Sequence, residues 1–67
     1  MPEEPLKNRE VIFEIIQLGI YAKITAVDVA TMTEVSISGP VKTPEAILRA
    51  NALKRLEFVM RKKGLIA

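Results

Sequence analysis

Cysteine, histidine and tryptophan are all absent from this chain. Without cysteine there is no disulfide and no thiolate metal ligand, and without histidine a metal would be left with carboxylates and carbonyls. General acid–base chemistry would fall to Asp, Glu, Lys or Tyr, none of them poised near neutral pH without help. The 3 glycines are spread along the chain and cannot form a phosphate-cradling loop. Aromatic residues make up 4% of the chain, which offers little for stacking on single-stranded nucleic acid. No apolar run approaches the roughly 20 residues of a membrane-spanning helix. The expectation is a protein that is not an enzyme, uses no metal or cofactor and does not enter a membrane.

What the chain has instead is more apolar material than its size can hide. Its 67 residues allow one domain, yet 49% of them are hydrophobic. A core of this size seldom supplies more than about 3–5 kcal/mol unaided, so small domains rely on disulfides, metals or partner subunits. With the first two excluded, oligomerisation is the staple to expect. Residues 1–7, Met-Pro-Glu-Glu-Pro-Leu-Lys, hold two prolines and two glutamates and read as a disordered tail before a single domain over 8–67. The same segment is acidic where a secretory leader is basic and then apolar, so a cytoplasmic protein is expected.

The pattern from Glu10 to Ser38 reads as three strands. Val11 to Leu18 is rich in branched and aromatic side chains and apolar on both faces. Beyond Gly19, residues 20–27 alternate, with Tyr21, Lys23, Thr25 and Val27 on one side and Ala22, Ile24 and Ala26 on the other. Glu34 to Ser38 alternates again. Setting Val27 opposite Glu34 places Ala26 against Val35, Thr25 against Ser36 and Ile24 against Ile37, so that like side chains share a face. Asp28 is suited to start the intervening turn, and Met32 falls where such loops want a left-handed residue. A tight turn at Gly19-Ile20 would pair Leu18 with Tyr21, Ile16 with Lys23, Ile15 with Ile24 and Phe13 with Ala26.

Gly39-Pro40 should end the third strand. Thr43-Pro44-Glu45 then reads as a helix start, with Thr43 as the cap and Pro44 in the first helical position, and the helix should run to about Lys63 with Gly64 as its stop. Leu48, Ala52, Leu53, Leu56, Val59 and Met60 form one stripe at helical spacing, which should cover the sheet. The expected fold class is α+β: a three-stranded antiparallel sheet followed by one C-terminal helix.

The segments Glu10-Val11-Ile12-Phe13-Glu14, Lys23 to Asp28, Thr33 to Pro40 and Ala52 to Glu57 together resemble a family of short alphaproteobacterial proteins of unknown function. The resemblance spans nearly the whole chain after the tail. It implies three strands and a helix and carries over no catalytic or binding residues. Relatives tend to have Asp-Pro-x-Thr-Gly at the hairpin where this chain has Asp28-Val29-Ala30-Thr31-Met32, which implies that Met32 occupies a glycine position.

Two functional surfaces follow from the pattern. The face of the sheet away from the helix would carry Ile12, Ile16, Leu18, Tyr21 and Val27, broken by Glu14, which would pair with Lys23 across the strands. Ile47 and Phe58 form a second apolar spot on the helix. These seven residues are the expected interface of a homodimer, joined edge to edge or by exchange of the first strand, or of a contact with another protein. The alternative is nucleic acid. Residues 1–43 carry four basic and six acidic side chains, whereas residues 44–67 carry six basic and two acidic. The six are Arg49, Lys54, Arg55, Arg61, Lys62 and Lys63, enough for phosphate contacts but also normal for a solvated helix face. Asp28 and Glu34 flank a turn, and Ser36 and Ser38 have no neighbouring base, so none of them reads as catalytic.

Overall fold

In a computed structural model, which describes residue 6 and residues 8–67, three antiparallel strands lie in the order β1-β2-β3 and a single helix follows them. The elements are β1 (Val11–Leu18), β2 (Tyr21–Asp28), β3 (Thr33–Pro40) and α1 (Glu45–Lys62). Apart from Leu6, which is half-buried against the core, the expected tail over residues 1–7 lies outside the described residues. Among the described residues no helix is long and apolar enough to cross a membrane.

Both strand registers are those the side-chain pattern dictates. Leu18 faces Tyr21 and Phe13 faces Ala26 across the first hairpin; Ile24 faces Ile37 and Val27 faces Glu34 across the second. The first turn has only two residues, and Gly19 takes φ 63° there without the steric cost a β-carbon would bring. In the second turn that cost is borne by Met32, at φ 56° and 74% exposed. On the outer face Thr25 Oγ1 and Ser36 Oγ lie 2.9 Å apart, a cross-strand hydroxyl pair.

The inner face and α1 make the core: Ala22, Ile24, Ala26, Val35, Leu48, Ala52, Leu56 and Met60. Three of these eight are alanines, so the layers sit close but bury little area, and each large side chain contributes about 1.5–3 kcal/mol at most. The helix lies chiefly over β3 and β2, not β1. At its C-terminus Gly64 takes φ 76°, with its N–H donating to Arg61 O at 3.0 Å while that of Leu65 donates to Met60 O at 2.9 Å. That is a Schellman stop.

Two local expectations are corrected. The helix begins at Glu45 with Pro44 outside it as the cap (φ −55°, ψ 138°), and no side chain caps it. Thr43 therefore stands one residue too early for its hydroxyl to serve the first turn, and its own N–H donates to Pro40 O at 2.9 Å. Proline at the cap leaves the first amides to solvent, while Pro44 O accepts from Ile47 and Leu48. Gly39 and Pro40 end β3 as expected, as its last two residues, since on an edge strand a missing N–H costs no ladder bond when it faces outward. Glu14 and Lys23 form no ion pair: Glu14 sits opposite Thr25 and Lys23 opposite Ile16, so the two are diagonal neighbours, roughly 7–8 Å apart at the backbone.

Candidate self-association surface

β1 is an edge strand, and which of its backbone groups are free can be deduced. Val29 N donates to Glu10 O at 3.1 Å, continuing the β1–β2 register one step beyond Val11 and Asp28. In an antiparallel ladder, successive residues turn their N–H and C=O groups to opposite sides. Glu10, Ile12, Glu14, Ile16 and Leu18 therefore bond inward to β2. The N–H and C=O of Val11, Phe13, Ile15 and Gln17 point to the other edge, where no strand among the described residues pairs with them. The other hairpin agrees, because Val41 N donates to Ile20 O at 2.8 Å, which assigns the even residues of β2 to β3 and its odd residues to β1.

Side chains along this edge are apolar and incompletely covered on both sides. Ile12, Ile16, Leu18 and Tyr21 are exposed on the outer face at 53%, 43%, 59% and 54%, and Val27 beside them is half-buried. On the inner face Ile15 is still 38% exposed, because α1 lies over the other two strands. Phe13 is half-buried, with the Arg49 guanidinium 5.3 Å from its ring centre. No proline or lysine interrupts the strand, and Glu14 is its one charged residue. These are the devices by which sheet edges are usually kept from pairing, and β1 has almost none of them.

Ile47 and Phe58 do not join this surface. They are 50% and 52% exposed on the solvent side of α1, whose opposite side packs on the sheet. The helix and the thickness of the sheet thus separate them from Ile12, Ile16, Leu18, Tyr21 and Val27. Phe58 lies between two cations, Arg55 at 5.5 Å and Lys62 at 5.6 Å from its ring centre. Arg49 pairs with Glu45 at 3.0 Å and Arg61 with Glu57 at 2.8 Å, each one turn apart on the helix. Lys54, Arg55, Lys62 and Lys63 are exposed and make no ion pair among the described residues.

One polar site was not foreseen. The Asp28 side chain is fully buried, and Arg9 grips it with two bonds, Nε to Oδ1 and Nη2 to Oδ2, each 2.9 Å. Thr31 adds its N–H at 3.1 Å and its hydroxyl at 2.7 Å, both to Oδ2. Having given its proton to Asp28, the Thr31 hydroxyl accepts from Thr33 Oγ1 at 2.8 Å. The Arg9 bonds hold the Asp28 carboxyl well below the usual carboxylate range; burial opposes them, and the Thr31 bonds assist. Asp28 is therefore a turn residue, as expected, and also a clamp that ties the start of β1 to the second hairpin. Its ligands are all protein groups, and no cluster of three or more potential metal ligands occurs among the described residues.

A family model described as a domain of unknown function, DUF6898, matches residues 8–63. No curated protein and no solved structure matches the chain.

Proposed function

The chain belongs to the DUF6898 family, a domain of unknown function, and from that premise we propose that it is a homodimeric interaction module whose contact element is β1. The observation that carries this reading is the unguarded edge, with backbone groups unpaired among the described residues and exposed apolar side chains on both faces of one strand. The small, alanine-rich core adds to it, since a partner's surface would supply burial the single chain lacks. Because a two-residue turn joins β1 to β2 within the chain, edge-to-edge joining requires no rearrangement, whereas strand exchange would require that turn to open.

Light scattering from micromolar to millimolar concentration tests the proposal, with the wild-type chain compared with Ile16→Glu. Ile16 is 43% exposed and lies opposite Lys23 of its own chain, so glutamate there leaves the monomer folded while adding to the negative charge of Glu14 on the seam. A dimer that Ile16→Glu dissociates is the expected result; a wild-type monomer throughout the range would overturn the reading.

A second reading has one supporting observation, the four basic side chains of α1 and its C-cap that lack a carboxylate partner among the described residues: Lys54, Arg55, Lys62 and Lys63. Contact with nucleic-acid phosphates would use them, on the side of the molecule away from the outer face of the sheet. Affinity for duplex DNA or RNA that falls steeply with salt would support it; affinity that is absent at low salt would dispose of it.

A further inference from the structure

The free edge of β1 is self-complementary, and we infer that its partner is β1 of a second copy, antiparallel and centred on Ile15, which makes one continuous six-stranded sheet. This rests on the self-association reading above and specifies its geometry. The groups open to a partner belong to Val11, Phe13, Ile15 and Gln17, so hydrogen-bonded pairs across the seam must join odd-numbered residues. Two registers use most of the strand. One is centred on Glu14, the other on Ile15.

Charge and packing choose between them. Centring on Glu14 sets its carboxylate directly opposite that of the second copy, at a pair without hydrogen bonds, where side chains approach closest and like charges repel. Centring on Ile15 gives up only the outermost bonds, at the ends of the strand. Ile15 then meets Ile15 of the second copy, Phe13 meets Gln17, and on the outer face Ile12 meets Leu18. Glu14 faces Ile16 of the second copy, and that copy's Lys23, the in-register neighbour of its Ile16, lies one strand beyond. Each carboxylate thus sits near its own Lys23 on the diagonal and within side-chain reach of the other. The apolar residues 12 and 18, exposed in the single chain, cover one another.

Because the chain has no native cysteine, single-cysteine variants read the register without background. Hydrogen-bonded antiparallel pairs have Cα atoms about 5.5 Å apart, within the range a disulfide spans. On mild oxidation Ile15→Cys should yield at least about tenfold more covalent dimer than Glu14→Cys, and mixed Phe13→Cys and Gln17→Cys chains should crosslink to each other. Circular dichroism confirms that each variant is folded. Gln17→Pro provides a second test, since it deletes an outward N–H without touching a β1–β2 bond and should abolish the dimer of a folded chain. A dimer by mass that crosslinks preferentially at Glu14→Cys, or that survives Gln17→Pro, would overturn this seam and leave self-association standing. A chain that is monomeric at all concentrations would overturn both.

Discussion

Replacing Asp28 by Asn keeps the size and shape of the side chain but removes the charge that organises Arg9, Thr31 and Thr33. Asp28 accepts four hydrogen bonds, two of them from a guanidinium, with its side chain fully buried. A hydrogen bond to a charged group contributes about 1.5–3 kcal/mol net. The amide retains one acceptor oxygen and turns a donor toward other donors, so the loss should be about 2–3 kcal/mol. Against a domain stability of about 3–5 kcal/mol, that is a large share of the total. The pH dependence follows from the same site. Because the folded carboxyl titrates below its unfolded value of about 3.9, its contribution is fully present above about pH 5 and is lost as the pH falls through the unfolded value toward the folded one. Urea titrations at a series of pH values, with wild type and Asp28→Asn side by side, measure both effects. The wild-type midpoint should fall on acidification, the variant's midpoint should be low and nearly flat, and the two curves should converge at acid pH. Parallel curves offset by a constant would refute the assignment of the acid sensitivity to this carboxyl.

The turn and the helix provide further predictions. Met32→Gly relieves a left-handed conformation costing about 1–2 kcal/mol and gives back part of it through the freer unfolded chain. The net gain of about 0.5–1 kcal/mol should raise the thermal midpoint by about 2–8 °C in a differential scanning experiment, and a lower midpoint would show that the side chain of Met32 matters more than its backbone. The double variant Arg55→Glu, Lys62→Glu should leave self-association unchanged, since both residues lie on the solvent side of α1 beside Phe58; gel filtration checks this, and dissociation would place the helix in the interface. If the second functional reading holds, the same variant should abolish salt-dependent nucleic-acid binding in a fluorescence anisotropy titration.

The sheet was legible because side-chain alternation and register are tied together: one pairing sets Ala26 and Ile24 against Val35 and Ile37 on one side and against Phe13 and Ile15 on the other, all on a common face, and that is the observed one. Met32 was legible for a similar reason, as turn length and strand register together leave one residue for the left-handed position. The clamp was not. Asp28 was already accounted for by turn chemistry, and Arg9 lay outside the strand, although the register Val11 to Asp28 makes the two diagonal neighbours on one face. Nor does an apolar stripe reveal where a helix lies across a sheet. Its stripe said that α1 would cover the inner face, but not that it would favour β3 and β2 and leave Ile15 partly open. That Ile47 and Phe58 lie far from the residues of the outer face is a simple consequence of layering. A helix on one face of a sheet turns its own solvent side away from the other face.

Hydrogen exchange at single backbone amides of β1, followed by NMR over a range of protein concentrations, tests the central claim most directly. The amides of Ile12, Glu14 and Ile16 bond to β2 and should be protected at every concentration, whereas those of Phe13, Ile15 and Gln17 face the open edge. If β1 is the seam, the second set is protected in concentrated solution and loses protection on dilution while the first set keeps it. Rapid exchange of Phe13, Ile15 and Gln17 at the highest concentration would show that the edge stays open to water and would contradict the account.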